Sequence, residues 1–196
     1  MPSTTIPTSS ATSSPALAEL IATVRNVVRS ELDPARAGGA VAQLLQPYLG
    51  FPDFLTPAQM TPDECEYCRH ILHVEPDASF SIVALVWLPG QETAIHDHVS
   101  WCVVGVHRGE EDETSYRLVG DETDRHLLVT EHTVNPVGSV VALVPPGDIH
   151  RVKNSGSDIA VSLHVYGADV RALGSSILRR YEHEVRTQPA SVAQPA

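Results

Sequence analysis

Residues 92–101, ETAIHDHVSW, set His96 and His98 one residue apart in a largely apolar run. In an extended chain, side chains at i and i+2 point to the same face, so the two imidazoles share a face and Asp97 turns away from it. If the strand lines a small barrel, that face is the interior and the rings converge on one point. Imidazole is a good ligand for iron, zinc, copper or nickel. A third ligand then comes from a neighbouring strand, and His150 in PPGDIHRVKN, just after a Pro-Pro-Gly turn, is the candidate. Glu92 is set aside as a ligand because it falls four residues before His96, ahead of the strand.

Outward from this stretch the chain reads as short strands. FSIVALVWLPG (80–90), SWCVVGVHRG (100–109), TSYRLV (114–119), RHLLVTEHTV (125–134), GSVVALVPPG (138–147) and IAVSLHVYG (159–167) are separated by glycines, prolines and charged turns. Such spacing predicts an antiparallel sandwich or barrel. Upstream, Leu17, Leu20, Ile21, Val24, Val27 and Val28 recur at helical spacing and predict a helix from 16 to about 32. A second short helix is expected over 39–49, with Pro47 near its end. Residues 50–66, punctuated by Pro52, Pro57 and Pro62, read as a connecting segment, and a last helix is expected around 173–185. Residues 1–15, rich in Ser, Thr and Pro, and 187–196 read as disordered tails. The expected architecture is therefore mainly β: one domain over 16–186, with a helical prelude at 16–66 packed on a β-barrel and a short C-terminal helix.

The 196 residues suit a single domain, and 42% apolar with 19% charged residues is a soluble globular composition. A formal net charge of -11 disfavours nucleic acid and anionic membrane surfaces, which demand basic patches. No apolar run approaches the roughly 20 residues that span a bilayer. The first residues lack the basic start and apolar core of a secretory signal, so the cytoplasm is the expected compartment. The sequence does not report the oligomeric state, and a monomer is compatible with it. Cys65, Cys68 and Cys102 are too few for a disulfide framework, and Cys65-Glu66-Tyr67-Cys68 is not on the strand-to-helix turn that a redox pair uses. Trp87 and Trp101 are expected to pack the barrel, and His70 and His73 to be ordinary polar positions.

The spacing around the histidines resembles the cupin family, a jelly-roll-like β-barrel. Gly90, five residues, His96-Asp97-His98, three residues, Cys102, six residues and Gly109 follow its first motif. Pro145-Pro146-Gly147, two residues, His150, three residues and Asn154 follow the second, with Gly138 one residue out of register. The departure is Cys102, which stands where the motif carries a metal-ligating glutamate. With three histidines as the only protein ligands, this departure resembles the thiol dioxygenases, of which the cysteine dioxygenases are the best-known group. The resemblance runs from about residue 67 to 166. The Ser-x-His-x-Tyr sequence of that family is matched by Ser162, His164 and Tyr166, which alternate and so share a face. Three polar side chains on one inward face are costly unless bonded to each other. Tyr67 and Arg69 match the Tyr-x-Arg pattern of members that meet a substrate carboxylate with arginine, a group able to bind it through two parallel hydrogen bonds.

The resemblance implies Fe(II) held by His96, His98 and His150. It implies a small thiol and O2 as partners, with L-cysteine oxidised to cysteine sulfinic acid. Arg69, with Tyr67, would bind the substrate, and Tyr166, His164, Ser162 and Cys102 would serve the chemistry. It further implies a thioether between Cys102 and Tyr166, since some relatives join these positions. Alternatives stay open at this point. The same chemistry could serve 3-mercaptopropionate or mercaptosuccinate, and a non-catalytic metal-binding cupin is a different class. Isomerases and ring dioxygenases of this fold usually keep the glutamate that Cys102 replaces.

Overall fold

Ser14 and Pro15 begin the first helix. The Ser14 hydroxyl accepts from Leu17 N at 3.2 Å, and Pro15 takes the first helical position, where no amide donor is needed. The computed structural model describes residues 14–31 and 33–187. Of the predicted tails at 1–15 and 187–196, residues 1–13 and 188–196 lie outside the described residues, as does the predicted helix end at Leu32. Ser14 and Pro15 are instead ordered as the start of the first helix, because they supply its cap and first position. Helix α1 covers Pro15–Ser30 and α2 covers Pro34–Leu45, capped by Asp33. The second helix thus starts five residues before the expected 39, because Asp33 and Pro34 supply a cap and a first turn. Pro47 sits in a short 3-10 turn, Gln46–Tyr48, rather than in the helix.

Eleven strands follow: β1 Cys68–Val74, β2 Ser81–Trp87, β3 His96–His98, β4 Cys102–Arg108, β5 Glu110–Val119, β6 His126–Pro136, β7 Val140–Leu143, β8 His150–Lys153, β9 Ala160–Tyr166, β10 Ile177–Arg180 and β11 Val185–Arg186. A single helical turn, α3 Val170–Leu173, separates β9 from β10. One sheet has the order β1-β2-β9-β4-β7, the other β10-β3-β8-β5-β6-β11. The chain crosses between the sheets several times, most directly where β4 runs into β5 through Gly109. Its φ of 72° suits glycine, and a Cβ there would lie 3.0 Å from Ala160 Cα. This is the mainly β cupin architecture that the sequence predicts.

The five-stranded sheet is covered on both faces, which is why SIVALVW in β2 is buried at every position. Ile82, Ala84 and Val86 face the helices, packed with Leu17, Leu20, Val24, Val41 and Leu45. Val83, Leu85 and Trp87 face the space between the sheets. On β9 the same alternation sends Val161, Leu163 and Val165 to the helices.

The expected helix at 173–185 is not present. Gly174, at φ 74°, ends α3 after one turn, and the chain returns as β10 against the free edge of β3, with Ile177 opposite His98 and Arg180 opposite His96. Arg179 and Tyr181 fix this pairing from the outward face: Arg179 Nε and the Tyr181 hydroxyl donate to Asp97 Oδ2 at 2.9 and 2.8 Å.

Glu75 closes the turn after β1 and ties it to α1. Its buried carboxylate accepts from Arg25 Nε and Nη2 at 2.6 and 2.9 Å and meets His73 Nε2 at 2.9 Å. The Arg25 hydrogen bonds, aided by His73 and opposed by burial, hold its carboxyl down at about 2. A carboxyl lowered on folding stabilises the fold above its unfolded pKa and loses that contribution as pH falls towards the folded value. Stability should therefore fall from about pH 4.5 towards pH 2 in denaturant titrations, and Glu75→Gln should flatten part of that loss.

Candidate active site

His96 and His98 come from β3 and His150 from β8, where His96 pairs directly with His150. The approach to β3 is clamped to β8 on both sides of Thr93: Thr93 N donates to Val152 O at 2.9 Å, and Val152 N to Thr93 Oγ1 at 3.1 Å. The two cupin-like motifs also meet directly, since Gly90 N donates to Asn154 O at 2.8 Å and Asn154 Nδ2 to Trp87 O at 3.1 Å. All three histidines are buried, and one ring nitrogen of each lies within 4.8 Å of the others. This cluster could hold a metal ion.

The outer nitrogen of each ring is already engaged. Nδ1 of His96 faces Ala94 O at 2.9 Å, Nδ1 of His98 faces Asp148 Oδ2 at 2.9 Å, and Nδ1 of His150 faces Glu113 Oε1 at 2.7 Å. Oxygen acceptors at Nδ1 place the ring proton there and leave the Nε2 lone pair for a metal. His150 Nε2 is accordingly a buried nitrogen without a hydrogen-bond partner. Burial, followed by the neighbouring His150 and His98, pushes the His96 pKa down to about 3, so the ring is neutral, as a ligand must be. Asp148 is held below the usual carboxylate range: burial opposes this, but hydrogen bonds from His98 and the backbone prevail. The donor set therefore fits a transition-metal ion.

The opposite wall is the five-stranded sheet. On β9, Ser162 Oγ meets His164 Nε2 at 2.9 Å and the Tyr166 hydroxyl meets His164 Nδ1 at 3.0 Å. Trp87 Nε1 donates to Ser162 Oγ at 3.2 Å. These groups form one buried chain. Burial carries the His164 pKa well below its usual value and the Tyr166 pKa well above its own, so both are neutral. Cys102 lies opposite Tyr166 in the β4–β9 register, with its sulfur 3.9 Å from His164 Nδ1. Burial, with Glu113 and Asp148 adding to it, raises its thiol pKa well above normal.

Arg69 and Tyr67 complete the cavity, which is also lined by Leu85, Thr93, Ser176 and Ile177. Arg69, on β1, is half-buried, and its Nη1 donates to Gly174 O at 3.2 Å, leaving the remaining donors free. Tyr67 stacks on Trp87 at 4.5 Å between ring centroids. Seven of the nine side chains singled out from the sequence line this space, while Ser162 and Cys102 lie behind it against His164. Asp97 points away from it, as its place between two histidines requires. The Glu92 backbone pairs with Lys153 instead, and its carboxylate is exposed near Arg151. Cys65 is exposed and Cys68 half-buried, both as free thiols.

The chain belongs to the cysteine dioxygenase type I family, whose model matches residues 6–173. It is similar to "Cysteine dioxygenase type 1" of Danio rerio, at 29% identity over 153 residues, covering 76% of this chain and 73% of that one. Among solved structures, a double-stranded beta-helix protein of Klebsiella pneumoniae aligns at 20% identity and TM-score 0.45, covering 60% of this chain and 87% of its own. A Cupin 2 conserved barrel protein of Salinispora arenicola aligns at 22% identity and TM-score 0.41, covering 59% and 87%.

Sequence reasoning missed Glu113 and Asp148, the acids behind His150 and His98, and the loop at 174–177 that roofs the cavity. Asp148 stands two residues before a motif histidine, which was a usable signal. Glu113 lies in the acidic run EEDET, where only the two-residue period of β5 separates inward from outward acids. Losing a partner of this kind typically weakens a metal site 10–100-fold. Glu113→Gln should therefore lower affinity for a divalent ion by about that factor in a competitive chelator titration.

Proposed function

We propose that the protein is a non-haem iron(II) thiol dioxygenase that oxidises the thiol of L-cysteine to cysteine sulfinic acid with O2. The observation that carries this reading is the placement of Arg69 and the Tyr166 hydroxyl around the same cavity as the three clustered imidazoles, in a chain of the cysteine dioxygenase type I family. The reaction adds both oxygen atoms of O2 to sulfur, RSH + O2 → RSO2H, and needs no external reductant. Iron(II) held by His96, His98 and His150 would supply the positive charge that favours a thiolate and the electrons that open dioxygen to reaction.

This chain's own residues do the rest. Arg69 pairs with the substrate carboxylate through the donors that Gly174 O leaves free, which fixes the sulfur's position over the histidines. Tyr166 offers its hydroxyl to the reacting oxygen, and His164 and Ser162 hold the orientation of that hydroxyl. Trp87 and Tyr67, stacked on each other, close the wall against water. No helix among the described residues is long and apolar enough to cross a membrane, and the proposed place of work is the cytoplasm.

One observation favours a second substrate. No acidic side chain is among the residues lining the cavity, so no carboxylate is placed to meet the ammonium group of cysteine. 3-Mercaptopropionate, which lacks it, fits the same Arg69 contact. Oxygen uptake by the iron-loaded protein with L-cysteine, 3-mercaptopropionate and cysteamine, with sulfinate measured, separates these readings. Arg69→Gln should raise KM about 10–100-fold for the two carboxylates, the worth of a charged hydrogen bond, and leave cysteamine unaffected. No sulfinate from any thiol would turn the reading to a non-catalytic metal-binding cupin.

The register that sets Cys102 opposite Tyr166 supports a thioether between them. Its formation joins sulfur to a ring carbon and passes two electrons and two protons to O2. Peptide mapping after turnover should find the two peptides joined and lighter by two hydrogens, and unlinked Cys102 would remove this step.

A further inference from the structure

Glu111, on β5, is 2% exposed, and its Oε1 is buried with no hydrogen-bond partner. An isolated buried carboxylate is costly, so a chain that keeps one there needs a reason. The carboxyl faces Ser162 on β9 and Trp87 on β2, the two groups at the inner end of the chain that leads through His164 to Tyr166. From its own strand the ionisable neighbour is Glu113. Asn135 of β6 faces the same small cavity, while β4, β7 and β8 present valines, with Ser139 beside them. That cavity shares only Val152 with the one lined by the three histidines. Glu111 therefore lines the smaller space, behind Ser162 and away from the metal-binding nitrogens.

We infer that Glu111 is a positioning residue for the Tyr166 hydroxyl, acting through Ser162 and His164. The chain has two fully bonded arrangements. With Glu111 ionised, Ser162 donates to the carboxylate, His164 carries its proton on Nε2 and donates to Ser162, and the Tyr166 hydroxyl donates inward to His164 Nδ1. With Glu111 protonated, the acid donates to Ser162, Ser162 donates to His164 Nε2, and His164 Nδ1–H donates to the Tyr166 oxygen. Only the second arrangement frees the Tyr166 proton to point into the cavity. Trp87 donates to Ser162 in both, so no donor is orphaned. The two differ by one proton, gained at Glu111, while Ser162 and Tyr166 rotate and His164 changes tautomer.

The balance of forces on Glu111 suits this role. Burial raises its pKa, Ser162 lowers it, Glu113 raises it and Trp87 lowers it, leaving it pushed up to about 7. Both arrangements are thus reachable near neutrality.

The inference rests on the thiol dioxygenase reading for its consequence in catalysis, but its test does not. Full-length protein carrying 15N-labelled histidine and loaded with zinc, which is diamagnetic, is followed by NMR across neutral pH. The His164 ring proton should move from Nδ1 to Nε2 as pH rises through about 7, and Glu111→Gln should abolish that movement. Ser162→Ala, which leaves Glu111 in place and interrupts the chain, should abolish it too. A single His164 tautomer throughout in the wild-type protein, or a switch that survives in either variant, overturns the inference. In the iron-loaded enzyme, Glu111→Gln should lower kcat and remove its pH dependence near neutrality with KM for the thiol unchanged, and a profile that overlays the wild type overturns the positioning role. A tautomer switch in a protein that makes no sulfinate would sink the proposed function and leave this inference standing.

Discussion

Val161, Leu163 and Val165 lie beneath the helices while Ser162, His164 and Tyr166 between them face the other sheet, and the rest of the molecule depends on keeping that alternation. A slip of one residue in β9 would bury three polar groups against Leu20 and Val24 and turn three aliphatic ones towards the histidines. The helices are therefore more than a prelude. By giving the outer face of the sheet an apolar partner, they make the wrong register expensive. β2 and β4 follow the same rule, with Trp87 and Cys102 inward and Val86 and Val103 outward.

The two walls of the cavity solve the burial of polar groups differently. On the histidine side each ring leans on an oxygen, two of them carboxylates, so the negative charge sits behind the ring and the lone pairs face inward. On the β9 side His164 and Tyr166 stay neutral because burial penalises any ionised form. A cation belongs between the walls, and the acids behind the rings make it welcome without reaching it themselves. Cys102 suits such a place better than a glutamate would, since its buried thiol adds no charge to the cavity.

The strands that form the site were largely legible because a two-residue period and the Gly and Pro turns are local signals. His96, His98 and His150 were legible for the same reason, each tied to a motif spacing. What stayed hidden was set by tertiary partners. ILRR at 177–180 carries no strand signal of its own strong enough to outweigh its surroundings, and it becomes β10 because β3 offers a free edge and Asp97 holds Arg179. Glu111 and Glu113 stand in an acidic run that carries no local sign of which acids turn inward, and it is the two-residue period of β5, paired with β6 and β8, that buries them. The early start of α2 was a missed cap at Asp33, a local signal that was present in the sequence.

The pairing of β10 with β3 also orders events in time. The strand that carries two histidines is in place on the chain some eighty residues before its outer neighbour, counting from His98 to Ile177 opposite it. During synthesis from the N-terminus, domains gain their long-range contacts only as the later segments emerge. Until β10 arrives, β3 keeps an open edge, Arg69 lacks the Gly174 carbonyl, and the cavity has no roof at Ser176. The pocket is thus among the last parts of the molecule to close.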